Sequence, residues 1–298
     1  MIGRYGSAGA LRRALEARLM QEANDTGTDL ARHRRLVVFD RVAARLSADP
    51  ADGWILKGGT ALEFRLRSKA RATKDMDLAA CPDGDPDLDG QTVRDLLIDA
   101  LSRDEDGDGF LFQVSSAVPL RADTAGRGGW RFSIESRLAG KTFATVRIDV
   151  VARAEEISRT ERLSLPNTLA FAGTPHRDIE AVDRRQHFAE KIHALTRDYG
   201  DRPNTRVKDL VDLVLLIETG LAPDEALADA VRHVFAVRAT HPLPKVLPDP
   251  PPAWTETYPE LADGLTATPL RLDVAMDLVR GFWSTALASG NTHPHQKD

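Results

Sequence analysis

The sequence predicts an α+β protein, with a mixed or antiparallel sheet in its N-terminal half and helices alone in its C-terminal half. Three observations carry this. Apolar residues recur at three- and four-residue steps through residues 10–23 and 30–46, as on amphipathic helices. Residues 73–80 and 142–151 instead alternate, as half-buried strands do. From about Val182 onward only helical patterns remain, over 187–199, 207–219, 223–240 and 270–287.

In chain order, the two opening helices read as a packed pair. After a turn-prone stretch at 49–53, Trp54, Ile55 and Leu56 form a short apolar strand candidate, and Lys57-Gly58-Gly59-Thr60 leads into a helix over 61–66. An acidic loop (82–89), a helix (91–101) and glycine-rich hairpin material (126–129) separate the two alternating segments, and Trp130, Phe132 and Ile134 alternate after the glycines. In the second alternating segment Val146, Ile148 and Val150 face a core while Arg147 and Asp149 face away. Residues 241–254 are too rich in proline for a helix or central strand and read as an extended surface loop. Residues 291–298 read as a frayed tail whose two histidines are solvated. One boundary divides the chain, giving a lobe over 1–175 and a helical lobe over 176–298. No internal repeat is present.

At 298 residues and 42% apolar content the chain has ample material for a core. Its lone cysteine, Cys81, forms no internal disulfide, and its eight histidines lack the spacing of a zinc site, which points to a reducing, cytoplasmic setting. No apolar run approaches the ~20 residues that span a bilayer, and the first residues lack the apolar core of a signal peptide. The net charge of -5 argues against a protein that coats nucleic acid, yet the charge is uneven. Residues 1–74 hold 15 Lys/Arg against 8 Asp/Glu, a balance of +7 that leaves -12 for the rest. A basic N-terminal surface suits a polyanion; a solvated face of arginine-rich helices is the plainer account.

Four features bear chemistry. Gly58 and Gly59 stand at a strand-to-helix turn, where free backbone N–H groups and the helix dipole hold phosphate, although paired glycines also simply make turns. Thr60 is placed to cap the helix or bond a phosphate oxygen, and Lys57 to steer or pair with a triphosphate. Asp75 and Asp77 flank Met76 on a strand, which puts both carboxylates on one face, where a divalent cation relieves their repulsion; hard oxygen ligands suit Mg²⁺. Asp149, alone among apolar neighbours, needs a partner: either it joins the other two carboxylates around metal, where it is also placed to act as a general base on an acceptor hydroxyl, or it pairs with Arg147 or another basic side chain. In the helical half Lys191 lies beside the apolar stripe of Phe188, Ile192, Leu195 and Tyr199, and Asp209 and Asp212 are neighbours on one face of an apolar helix. Chemistry alone leaves two readings even. Lys191 contacts a triphosphate while the aspartates orient it, or Lys191, Arg206 or Arg197 forms ion pairs that lock two helices.

Five ordered blocks change that balance: Leu56 to Leu62, Arg71 to Asp77, Ile148 to Val150, Glu190 to Leu195 and Arg206 to Leu213. Together they resemble the AbiEii/AbiGii nucleotidyltransferase toxin family, which includes the MenT-like toxins, and the resemblance covers most of the chain. It implies a bilobed protein with a polymerase β-like N-terminal lobe, a helical C-terminal lobe and a nucleotide cleft. By position, Gly58, Gly59 and Thr60 would cradle phosphates, with Lys57 and Asp212 also at the nucleotide. Asp75 and Asp77 would hold one or two Mg²⁺ ions with Asp149, and Lys191 and Asp209 would complete the site. Gly59-Thr60 stands where the family often has Gly-Ser, which keeps the hydroxyl. The family supplies the toxins of type IV toxin-antitoxin and phage-abortive systems, so an AbiEi-like antitoxin is the implied partner. MenT-like members add nucleotides from a nucleoside triphosphate to the 3′ end of tRNA, which blocks translation. The alternatives are nucleotidylation of a Ser, Thr or Tyr on a protein, and a non-catalytic nucleotide-binding interaction protein.

Overall fold

The computed structural model describes residues 4–80, 88–120, 128–152 and 154–289. Cys81, most of the acidic loop, the start of the expected glycine-rich hairpin and the terminal tail lie outside them. The chain forms two compact units of interleaved segments: Met1–Arg65, Ala72–Ala154 and Glu161–Ala181 in the first, and Leu66–Arg71, Glu155–Thr160 and Val182–Asp298 in the second.

The first unit opens with α1 (Ala8–Thr26) and α2 (Leu30–Leu46). Both start at side-chain caps, where Ser7 accepts from the Ala10 amide and Asp29 from the Ala31 amide. Then come β1 (Trp54–Lys57), α3 (Gly58–Leu66), β2 (Asp75–Ala80), α4 (Gly90–Ser102), β3 (Phe110–Val114), β4 (Val118–Pro119), β5 (Trp130–Leu138), β6 (Lys141–Val151), β7 (Thr160–Ser164) and β8 (Asp178–Val182). The strands form one mixed sheet in the order β3-β5-β6-β2-β1-β8-β7, with β4 beside β5. β2 runs parallel to β6, and β1 parallel to β8; β1–β2 and β5–β6 are antiparallel.

The α+β reading thus holds, with four strands among the described residues beyond those expected: β3, β4, β7 and β8. β7 (TERLS) is largely polar and short, so its sequence carries no apolar alternation. One sheet face is apolar. Met76, Leu78, Phe132, Ile134, Val146, Ile148 and Val150 are buried there with Leu11 and Leu15 of α1, Val38 and Val42 of α2 and Leu97 of α4 in one core. The residues between them on the strands point to the opposite face.

The described β5–β6 hairpin turns at Ala139-Gly140, both with positive φ (53° and 74°), the geometry of a two-residue turn that matches strand twist. Leu138 pairs Lys141 beside the turn, but a bulge at Ser136/Arg137 shifts the register by one residue. Beyond it Phe132 pairs Ile148 and Ile134 pairs Val146, so the bulge brings the apolar residues of both strands to one face.

The second unit contains α5 (Arg184–Thr196), α6 (Val207–Glu218), α7 (Glu225–Arg238), α8 (Trp254–Ala262) and α9 (Leu272–Ser289). Phe188, Ile192, Leu210, Val214, Val231, Val234, Met276 and Trp283 are buried in it. The proline-rich stretch before Trp254 is free of helix and strand, but Trp254 itself begins α8. This helix escapes a periodicity reading because it has nine residues and contains Pro259. No helix among the described residues is long and apolar enough to cross a membrane.

Candidate active site

β1 passes into α3 with no intervening loop: Lys57 ends the strand and Gly58 begins the helix. Gly58 has φ +61°, in the left-handed region. A Cβ there would lie 1.8 Å from Asp77 Oδ2, so glycine is required twice over, by its backbone and by the carboxylate against it. Gly59 is buried as the second residue of α3. Thr60 is the third residue and therefore not the cap. Its fully buried hydroxyl donates to the Asp75 carbonyl at 3.1 Å, where the Thr73 hydroxyl also donates at 3.1 Å. Glu63, one turn on, accepts from the Thr73 amide at 3.2 Å and lies 3.5 Å from Arg32. Burial raises its carboxyl above the usual range against these partners. These contacts tie the start of β2 to α3.

On the sheet face away from the core, register sets four charges in a row across four strands. Lys57 of β1 pairs Asp77 of β2, Asp77 pairs Asp149 of β6, and Asp149 pairs Arg131 of β5. Asp75 is two residues from Asp77 on the same face and is paired with Arg147. The Arg131 guanidinium donates to both Asp149 oxygens, each at 2.7 Å, while Arg147 Nε donates to Asp75 Oδ1 at 2.6 Å. Arg147, the partner named first for Asp149 from sequence, therefore belongs to Asp75. Arg131 was missed. Its signal was the alternation of Trp130, Phe132 and Ile134, which leaves Arg131 on the other face, but its pairing depends on the bulge. The Asp149 hydrogen bond, against partial burial, holds the Arg131 guanidinium above its ordinary value, and the Asp75 and Asp77 charges add to this.

Asp75 and Asp77 fit a divalent cation chemically. Both offer hard oxygens on one face, and Mg²⁺ commonly takes one or two carboxylates with substrate phosphates completing its shell. Asp77 also lies against the start of α3, the place that favours phosphate. An anion and a carboxylate share that place best with a cation between them. No group of three or more metal-binding side chains gathers among the described residues.

The second unit holds a separate charged cluster. Lys191 Nζ on α5 lies 2.7 Å from Asp209 and 2.7 Å from Asp212, both on α6. Arg71 forks onto Asp212 through Nε and Nη2 at 2.8 and 2.7 Å, and Arg206 reaches Asp209 at 3.6 Å. Arg197, another sequence candidate, lies over the Tyr199 ring. Burial opposes charge on both Lys191 and Asp212. The two aspartates nevertheless raise the Lys191 ammonium, and Lys191 with Arg71 lowers the Asp212 carboxyl, so Lys191 and Asp212 stay ionised.

The model of the family "Nucleotidyl transferase AbiEii toxin, Type IV TA system" matches residues 42–281. The chain belongs to the AbiEii family. AbiEii proteins are nucleotidyltransferase toxins of type IV toxin-antitoxin systems, which implies a nucleoside triphosphate substrate and an antitoxin partner. Among solved structures this AbiEii chain is similar to the nucleotidyltransferase toxin MenT4 of Mycobacterium tuberculosis, at 19% identity and TM-score 0.56, covering 91% of this chain and 89% of that one. A putative nucleotidyltransferase of H. pylori matches at 12% identity and TM-score 0.45, over 89% and 100% of the two chains. No curated protein matches.

Proposed function

We propose that this AbiEii chain is a Mg²⁺-dependent toxin of the cytoplasm that transfers a nucleoside monophosphate to the 3′ end of tRNA and so blocks translation. The observation that carries the reading is the pair Asp75 and Asp77 on one sheet face, with Asp77 pressed against Gly58 at the start of α3. In the transfer, the RNA 3′-oxygen bonds to the α-phosphorus, the bond from that phosphorus to the bridging oxygen breaks, pyrophosphate leaves, and solvent takes the hydroxyl proton. Asp75 and Asp77 hold the divalent ion, which when bound neutralises charge on the triphosphate. Gly58 and Gly59 receive phosphate on backbone amides, and Lys57 in the same row offsets its charge. Lys191, with Asp209 and Asp212 setting its position, is the cation assigned to the triphosphate. The basic balance of residues 1–74 supports a polyanionic acceptor.

The test is incubation with total tRNA, Mg²⁺ and each α-labelled nucleoside triphosphate in turn, beside Asp75→Ala and Lys191→Ala. Labelled tRNA is expected with the native protein and is lost in both variants. Label that resists RNase and yields to protease would move the acceptor to a protein hydroxyl. If native protein and Asp75→Ala alike leave every acceptor unlabelled, the catalytic reading fails and a nucleotide-binding interaction protein takes its place.

A further inference from the structure

The three carboxylates on the sheet face have different partners. Asp75 is met by one hydrogen bond from Arg147, whose side chain is 51% exposed, and Asp75 itself is 31% exposed. A singly bonded, wet ion pair is weak and exchanges readily. Asp149 is 16% exposed, and both its oxygens are taken by the planar fork of Arg131. Bidentate pairs of this kind are the strong, geometrically specific ones. Asp149 also stands directly across from Asp77, where an uncompensated second carboxylate would repel it. Arg131 cancels that repulsion from the far side of the row.

We propose that Arg131 acts as a built-in cation that withholds Asp149 from metal binding, so that this chain holds its divalent ion through Asp75 and Asp77 alone. The proposal rests on the reading of Asp75 and Asp77 as the metal pair. Arg131 is a positioning residue: it acts through Asp149, and the bulged β5–β6 register keeps the two opposed. Asp75 gives up Arg147 to the ion, whereas Asp149 keeps Arg131.

The experiment measures Mn²⁺ affinity of the full chain by electron paramagnetic resonance of the free ion, without nucleotide or turnover. Asp149→Asn is expected to bind Mn²⁺ within about twofold of the native protein, because Asp149 is not a ligand. Arg131→Gln frees the third carboxylate and is expected to tighten binding on the order of tenfold. The double substitution Arg131→Gln with Asp149→Asn returns affinity to the native value. Loss of affinity on the order of tenfold in Asp149→Asn overturns the proposal while leaving the metal pair intact, and that arm stands even if Arg131→Gln does not fold. An unchanged affinity in folded Arg131→Gln overturns it too. Native protein that binds Mn²⁺ no better than Asp75→Ala removes the metal pair itself, and the proposal with it.

Discussion

At Gly58 one missing carbon atom decides the local geometry. The left-handed backbone there strains any L side chain, and a Cβ would collide with Asp77 Oδ2. Gly58→Ala is therefore expected to cost about 1 kcal/mol or more of stability from the backbone alone. It would also push Asp77 out of line, and misplacement by about 1 Å is enough for a rate loss of roughly a hundredfold. Single-turnover transfer together with thermal unfolding checks both, and a variant with native turnover would show that Asp77 has room to move. Thr60 illustrates the reverse case. Its hydroxyl suggested phosphate from sequence, but it is buried and spent on the Asp75 carbonyl, where it steadies the strand that carries the aspartates.

At the scale of elements, α5 and α6 are joined by charge inside an otherwise apolar contact. Asp212 is completely buried and accepts from Lys191 and Arg71 at once. Asp212→Asn leaves those two cations undercompensated and is expected to destabilise the protein by about 3 kcal/mol, since breaking one side of a buried pair costs far more than the pair contributes net. Urea unfolding of the folded variant at neutral pH measures this, and a loss under 1 kcal/mol would mean that Asp209 alone suffices. The sign of the pH dependence follows from the two shifts. The lowered Asp212 carboxyl contributes stability above the unfolded carboxylate pKa that is lost on acidification through its folded value. The raised Lys191 ammonium contributes stability below the unfolded lysine pKa that is lost only in strong alkali.

At the scale of the molecule, two short excursions of the chain are anchored in the helical unit by ion pairs. Residues 66–71 are held by Arg71 on Asp212, and residues 155–160 by Glu156 on Arg238. Arg238 also donates to His193 Nδ1 at 3.2 Å and, having no acceptor, fixes the direction of a chain of hydrogen bonds. His193 Nε2 then donates to Thr240, Thr240 to His241 Nδ1, His241 Nε2 to Thr196, and Thr196 to the Ile192 carbonyl. Protonating His193 would set Nδ1–H against the Arg238 donor and lose that bond, and protonating His241 would set Nδ1–H against the hydroxyl proton of Thr240. Burial first, then Arg238 and His241, push His193 down to about 3, and His241 is lowered as well. A folded pKa below the unfolded one means that the unfolded chain binds the extra proton. Stability is therefore expected to fall as pH drops from about 6.5, by about 1.4 kcal/mol per pH unit for His193. Denaturation at pH 7.5, 6.5 and 5.5 should show that slope, and His193→Gln should flatten it; an equal slope in the variant would place the acid sensitivity elsewhere.

The periodicity of 3.6 along α1, α2 and α6 and of 2 along β2 and β6 was visible in the sequence because each element buries one face, and the choice of side chain records it. The same alternation put Asp75 and Asp77 on one face, and the ordered motif blocks carried the family. What the sequence did not contain was pairing. β7 and α8 are too short or too polar to show a period. The bulge that sets Arg131 against Asp149 reconciles the Ala139-Gly140 turn with the apolar faces of two strands, a condition that exists only once they lie side by side. Likewise Asp212 had three plausible cations by composition, and its second partner is Arg71, 141 residues away. Local preference is written residue by residue, whereas the partner of a charge is decided by which chain segments the fold brings together.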